Sequence, residues 1–384
     1  MTVENAAPLR TKPQPTGATR RRPAEVLGPV LVFVGVAYLA AFTSAGLAFL
    51  AERTATLLVL VLALQLFTGN SGVLSFAHGA FALLGGLTTG LLTMPAVIKA
   101  NVLTDLLPAL QAAHGPVWLS IPLAVVIGAA VAAGVGALLM RLNGLSAAIA
   151  TFAVLMVADN VFFHATSVGP GPQVLPQVPV FPVVDAPIAL AAVVIVVVYL
   201  LGTSRSGRLL RASREDLLAA RALGTSVWRL RVAFFAASGG LAALAGAMYA
   251  HQAAAISVRD YYLDFTFLTL AMLIIGGAGS VWGAVVGTLV VTAISEALLR
   301  MEQGLHLGDL VITLPTGVRG ALIPLAFVAM LLWRPQGLTQ GREFRLPGGR
   351  ARARGPHEGA PRRAPSDGAA RDDRSPRGDS PERG

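Results

Sequence analysis

The sequence predicts an all-α, polytopic transmembrane helix bundle of about ten spans (between eight and ten), some of them discontinuous. Three observations predict it. Hydrophobic residues make up 54% of the 384 positions and charged residues 13%, against about 25% charged in a soluble domain. The apolar residues fall in blocks of membrane-crossing length, roughly 20 residues, with the charges confined between them. The blocks are continuously apolar, without the alternation of barrel strands, so helices satisfy the backbone in lipid.

The first block follows a Pro- and Arg-rich lead containing Arg20, Arg21 and Arg22, starts near Val26 and runs to about Leu50. That exceeds the roughly 7–15 residues of a cleaved signal core, so it reads as a retained span. Spans are expected at 29–50, 54–68, 76–92, 117–140, 145–164, 187–203, 230–251, 265–279, 283–299 and 317–333. The second, third and eighth are short or broken by glycine. Gly85-Gly86, the run from Gly128 to Gly136, and Gly239-Gly240 with Gly246 are small residues that let helices approach closely in lipid. The run 276–283, Gly-Gly-Ala-Gly-Ser-Val-Trp-Gly, is too rich in glycine for one uninterrupted helix and reads as a break or tight turn.

The net charge of +10 lies at the ends of apolar blocks and in the termini, which is how a membrane protein fixes its orientation rather than a nucleic-acid footprint. Ten alternating spans put the N-terminus, Arg141, the segment Arg205 to Arg231, and Arg334 with the tail on one side. That side is expected to be cytoplasmic, together with both termini. Domain organisation follows: a cytoplasmic arm over 1–28, a transmembrane domain over 29–338 with a cytoplasmic loop at 204–229, and a disordered cytoplasmic tail over 339–384. The tail's basic character could hold it near anionic lipid. There are no cysteines, so thiolate metal sites and disulfides are excluded, and no His-x-x-x-His spacing suggests a metal. A phosphate-cradling P-loop needs Gly-Lys-Ser/Thr. The only lysines, Lys12 and Lys99, follow Thr and Ile, so no catalytic residue, cofactor or ATP chemistry is expected in this chain.

The long basic loop holds the clearest functional signal. Ser213 with Asp216 fits a capping box, placing a helix start at Arg214. Glu215 and Asp216 then complement the dipole of the first turn, and Gly224 makes a left-handed stop. A helix this short is marginal alone, so it docks, either on the lipid surface or in a groove on a cytoplasmic partner. Small Ala219, Ala220 and Gly224 favour close protein contact over lipid anchoring.

The spacing Ala219-Ala220, three residues, Gly224 resembles the EAA loop of bacterial ATP-binding cassette importer permeases, which contacts the ATP-binding subunit. Leu218 stands where that motif has glutamate, and its later Ile-x-Leu-Pro portion is absent. Both departures are common to the branched-chain amino-acid permeases of the LIV type. Three further stretches are similar to that family: Gly72-Val-Leu-Ser-Phe-Ala-His-Gly-Ala-Phe81, Leu270 to Ser280 with Gly283 and then Glu296, and Trp333-Arg-Pro-Gln-Gly-Leu338. The matches run in order from about 54 to 338. Ala77 and Val73 depart from the family's glycine and glutamine, Asp159 stands where relatives often carry glutamate, and Ser167-Val-Gly-Pro-Gly matches a family loop only loosely.

The resemblance implies a permease subunit in a bacterial cytoplasmic membrane, moving branched-chain amino acids inward, with urea or short amides as the alternative cargo. Its implied partners are P-loop ATP-binding subunits, a second homologous permease, an extracytoplasmic substrate-binding protein and lipid. It implies a coupling role for Arg214, Glu215, Asp216, Ala219, Ala220 and Gly224. Candidates for the translocation path are Ser75, His78, Asp159, Gly276 and Gly277, because ionisable groups and broken helices inside a membrane mark transport sites. His78 stays open between path and structural hydrogen bonding, and Asp159 between path and helix pairing; His164 and His251, at span ends, read as interfacial. An ion-coupled secondary transporter is the other class, for which Asp159 and Glu296 are few carboxylates; a membrane enzyme has less support.

Overall fold

A computed structural model describes residues 23–181, 185–222, 224–307, 310–312, 315, 317–334 and 336–344. The arm before 23 and the tail beyond 344 lie outside the described residues, and with them most of those two expected domains. The chain is a bundle of α-helices with two short strand pairs. Its order is α1 (Pro23–Thr43), α2 (Ala45–Leu64), α3 (His78–Thr93), α4 (Ala96–Val102), α5 (Pro108–Ala112), α6 (Val117–Leu139), α7 (Gly144–His164), α8 (Ala186–Thr203), α9 (Arg205–Glu215), α10 (Leu217–Ala222), α11 (Val227–Ala253), α12 (Leu263–Gly276), α13 (Val281–Glu302) and α14 (Val318–Trp333).

Every expected span is helical, but the lengths differ. Among the described residues, seven helices are long and apolar enough to cross a membrane: α1, α2 with its continuation to Gly69, α6, α7, α8, α11 and α13. An eighth is reached if α3 and α4, bent by 116° at their junction, count as one broken span. With 14 and 16 residues, α12 and α14 fall short of the roughly 20 that a straight crossing requires.

The first two expected spans meet at a different place. The sequence places their break at 51–53, where Glu52 and Arg53 interrupt the apolar run. The structure instead breaks at Ser44, whose extended backbone ends α1 and whose Oγ accepts from the Leu47 N–H at 3.3 Å. Glu52 and Arg53 ride inside α2, half-buried. A side chain that caps freed N–H groups is a sufficient helix break, whereas a charge inside a helix breaks nothing.

Helix α2 ends in a π-helical turn, Gln65–Gly69, and a non-helical segment over 72–76, largely buried from Val73 on, then leads to α3. This is the expected discontinuity near the third span. Its buried backbone needs partners in a waterless interior, and one comes from α7: the Phe76 N–H donates to Thr151 Oγ1 at 3.2 Å. Helix α11 lies at the centre, packed against α2, α3 and α6. Reciprocal small residues permit the α3–α11 approach. A Cβ at Gly85 would overlap the Ala243 carbonyl, and one at Gly246 the Ala82 carbonyl.

The basic segments gather at one end. The Arg141 guanidinium sits 5.6 Å from the Trp228 ring, and Arg231 Nη1 donates to Asn143 Oδ1 at 2.6 Å. Residues 336–344 also fold onto this end, against α12 and α13, so the part of the expected tail from 339 to 344 is packed structure. Its backbone is held by Leu338 N–H to Ile275 O at 2.8 Å and Thr339 N–H to Gly276 O at 3.1 Å.

At the opposite end, β1 (Leu175–Pro176) pairs antiparallel with β2 (Ala255–Ile256), and β3 (Leu305–Leu307) with β4 (Leu310–Ile312). There Lys99 is fully buried. Its Nζ donates to the Leu91 carbonyl at 2.8 Å, to Leu110 at 3.4 Å and to Ala113, closing α3, α4 and α5 around one ammonium. His251 is buried too, Nδ1 donating to Pro179 O at 2.5 Å, so the overlying loop takes it out of the interface expected for it. His164 is at the exposed end of α7, Nδ1 bonding the Asn160 carbonyl at 2.9 Å.

Candidate coupling surface and interior polar sites

Ser204 starts α9: its Oγ accepts from the Gly207 N–H at 3.1 Å. The helix runs through the position where a capping box was expected. Ser213 is inside its last turn and donates to the Leu210 carbonyl at 2.7 Å. The break falls at Asp216, whose extended backbone ends α9 and whose carboxylate accepts from the Leu218 N–H at 2.9 Å, opening α10. The second helix therefore starts at Leu217, not Arg214. The earlier cap at Ser204 had already committed 205–215 to a helix, and an aspartate bonded two residues ahead makes its own turn. Gly224 is the left-handed stop the sequence led us to expect, with φ +73° and its N–H on the Arg221 carbonyl at 2.9 Å.

The surface this leaves differs from the one read in sequence. Ala220 is 6% exposed and points into the chain's own packing, while Leu218 is 76% exposed. Arg214, Glu215, Asp216, Arg221, Ala222 and Gly224 are exposed around it, and Ala219 lies on α10 between them. The back of the loop is held firmly. Arg211 Nη2 donates to the Gly202 carbonyl at 2.6 Å, and the Arg214 chain crosses Gly72, its Nη1 3.5 Å from the Gly69 carbonyl. What the loop presents outward is a leucine ringed by charges of both signs.

The candidate path residues lie in three places and form no single site. Ser75 and His78 come together where the non-helical segment meets α3. His78 is 1% exposed, its Nδ1 3.1 Å from Ser75 Oγ and its Nε2 3.1 Å from Ser238 Oγ on α11, with Phe67, Phe81 and Phe235 around the ring. Both ring nitrogens are satisfied. Asp159 lies towards the opposite end, near Arg259 and His164, and its Oδ1 is buried without a hydrogen-bond partner. Gly276 and Gly277 form the turn between α12 and α13 at the basic end, Gly277 with φ +112°.

Arg53 was missed in sequence, having been placed between spans. It lines a narrow pocket of about 20 Å³ between α2, α12 and α13, with Leu57, Met272, Thr292, Ser295 and Glu296. Glu296 accepts from Arg300 Nε one turn on at 2.8 Å, and Thr292 Oγ1 is buried and unpartnered. Leu268 separates this pocket from a wider cavity of about 560 Å³ beside α14, whose walls include Asp264, Phe267, Ala271, Glu302 and Phe327. That volume is within the roughly 300–1,000 Å³ of small-molecule sites.

Two curated relatives, the high-affinity branched-chain amino acid transport system permease proteins LivM of Salmonella typhimurium and Escherichia coli, are 26% and 24% identical to this chain. The first match covers 75% of the chain and 69% of the relative, the second 77% and 70%. An autoinducer 2 import system permease protein, LsrC of Yersinia pestis, is 30% identical over 28% of the chain and 32% of its own length. No solved structure matches. The model of the branched-chain amino acid transport system/permease component family matches residues 46–318, from the start of α2 to the start of α14, and the chain belongs to that family.

Proposed function

We propose that this chain is the translocating permease of an ATP-driven importer that carries branched-chain amino acids into a bacterial cytoplasm, with both termini and the α9–α10 loop on the cytoplasmic side. The observation that carries the reading is the surface of that loop. Leu218 stands 76% exposed on a short helix whose inner face is buried in the bundle, which suits a groove on a soluble partner. The two LivM relatives support branched-chain amino acids as the substrate, and the LsrC relative, from an autoinducer 2 import system, supports the import class. Urea or short amides are the alternative cargo.

The partners are P-loop ATP-binding subunits at 214–224, a second permease of the same family beside this one, and a substrate-binding protein at the opposite end. ATP hydrolysis belongs to the separate subunits. Their closure would displace α10 and α9 and bias the bundle between two access states, a rigid-body device common in transport. Among the path candidates, Ser75 and His78 fit a supporting role where the non-helical segment meets α3, and Asp159 is the one with an unpartnered buried oxygen.

Affinity purification of the tagged chain from its native membrane, with identification of co-purifying proteins, tests the assembly. Recovery of a P-loop ATPase and a second permease is expected, followed by ATP-dependent leucine uptake after reconstitution. Isolation of this chain alone, still moving solute in liposomes without ATP, refutes the reading in favour of a self-sufficient transporter.

A further inference from the structure

Residues 336–344 do more than follow the last helix. Glu343 reaches the N-terminus of α13, 62 residues away in sequence, and its two carboxylate oxygens accept from the Val281 N–H at 3.1 Å and the Trp282 N–H at 3.3 Å. Those N–H groups belong to the first turn of a helix, which has no intrahelical acceptors for them, and a carboxylate there also meets the positive end of the helix dipole. Ser280 completes the cap, its Oγ accepting from the Gly283 N–H at 2.9 Å. Phe344 stacks edge-on against Trp282 at 5.0 Å, and its ring fills the space a side chain at Gly28 on α1 would need. Thr339 Oγ1 donates to the Gly276 carbonyl at 2.8 Å, and Gly337 lies directly on Gly277. The segment is a strap drawn across the α12–α13 turn.

The same turn is linked to the α9–α10 loop on one side by contact through the end of α2 and on the other by charge. On one side, the Arg214 chain lies on Gly72 and Gly69, and the Gly69 backbone is packed so tightly on the Ala278 carbonyl that a Cβ there would overlap it. On the other, burial pushes the Glu343 carboxyl upward, its bonds from the Val281 and Trp282 N–H groups and the charge of Arg211 on α9 favour its charged form, and the charge of Glu25 on α1 opposes it. Loop, turn and strap thus form one chain of contacts: α9, the end of α2, residues 277–280 and residues 336–344.

We infer that residues 336–344 are a coupling strap, with Glu343 as its positioning residue, which fixes the α12–α13 turn to the α9–α10 loop so that displacement of the loop by an ATP-binding subunit moves α12 and α13 with it. The inference rests on the importer reading proposed above. It assigns a role to residues 336–344 that neither the family membership nor the coupling helix supplies. In this arrangement Thr339 and Gly337 hold the C-terminal end of α12, Glu343 holds the start of α13, and Arg214, lying on Gly69 and Gly72, joins the turn to the loop.

The test uses the complete importer, reconstituted with its ATP-binding subunits, and measures leucine transported per ATP hydrolysed. Glu343→Ala and Thr339→Ala/Glu343→Ala are expected to retain the ATP-binding subunits and basal hydrolysis within about twofold, yet to lower the transport-to-hydrolysis ratio tenfold or more. Glu343→Gln, isosteric and still able to accept one N–H, should fall between them, and it serves where Glu343→Ala does not accumulate. A strap that only stabilised the fold would reduce the amount of active protein and leave the ratio unchanged. Variants with a ratio within twofold of wild type therefore overturn the strap while leaving the importer standing. A wild-type assembly with no ATP-driven uptake of any branched-chain amino acid overturns the parent reading and the strap with it.

Discussion

Leu218→Asp is the most direct perturbation of the coupling surface, because it alters the outward face of α10 without touching its packing. The side chain is 76% exposed. Full burial of a leucine is worth about 1.5–3 kcal/mol, so the three-quarters still uncovered here would contribute about 1–2 kcal/mol on docking. At about 1.4 kcal/mol per tenfold in affinity, Leu218→Ala should weaken binding of the ATP-binding subunit roughly 5- to 30-fold. Leu218→Asp should weaken it further, since a carboxylate would have to be desolvated in the groove. Ala220→Glu with Gly224→Pro is less clean: Ala220 is buried within the chain and Gly224 has φ +73°, so that pair damages the loop itself. The assay is titration of the purified ATP-binding subunit against the permease in lipid nanodiscs, with thermal unfolding of the permease as control. An affinity within twofold of wild type for Leu218→Asp, at unchanged permease stability, would show that α10 does not dock through this face.

Three further outcomes are expected. His78→Ala should lower the thermal midpoint, since it leaves the buried Ser75 hydroxyl without its histidine partner, Ser238 keeping its bond to the Phe235 carbonyl, at about 1–3 kcal/mol for a buried unsatisfied group, and uptake should keep its KM; a raised KM at unchanged stability would instead put the histidine on the path. Gly246→Leu should prevent a monodisperse protein from being extracted, because even a Cβ overlaps the Ala82 carbonyl and overpacking costs about 1–3 kcal/mol or more; wild-type yield on size-exclusion chromatography counts against the close α3–α11 crossing. Lys99→Met removes a donor shared by three carbonyls, each orphan costing about 1–3 kcal/mol, and should expose residues 94–116 to proteolysis from that side; undiminished resistance to protease would show that the loop holds without the ammonium.

The long helices were legible because in lipid the composition of about 20 residues decides the structure without reference to neighbours; the shorter α12 and α14 were legible as helices but not as full crossings. Where a boundary depended on a single side chain, sequence reading chose the more conspicuous residues. Glu52-Arg53 looked like a loop, and Ser44, one polar residue after Thr43, was the cap that mattered. In the basic loop the capping-box spacing at Ser213 was genuine but already enclosed in α9, whose start at Ser204 was hidden by Gly207 in its first turn. Outward and inward faces of α10 could not be read, since they depend on what lies behind the helix. Glu343 on α13 and Arg53 beside Glu296 were out of reach for the same reason: each is a meeting of residues far apart in sequence, and no local pattern announces it.

The small residues that were legible also limit where this bundle can move. Helices α3 and α11 meet at Gly85 and Gly246 with carbonyls where Cβ atoms would be, and α12 and α13 meet in the same way, Gly276 against the Gly283 carbonyl and Gly287 against that of Met272. Contacts this close leave no room for sliding, because interiors packed to this density hold discrete arrangements rather than deforming continuously. Motion must then be concentrated between these two tightly packed helix pairs, at the seam where α2 faces α12 and α13. That seam holds Arg53, Glu296 and the unpartnered Thr292 hydroxyl around a space of about 20 Å³, and Leu268 divides it from the larger cavity beside α14. A tightly glycine-packed hairpin, tied by its turn to the α9–α10 loop and facing polar side chains across a narrow seam, can transmit a push from that loop as a change in access rather than dissipate it as local bending.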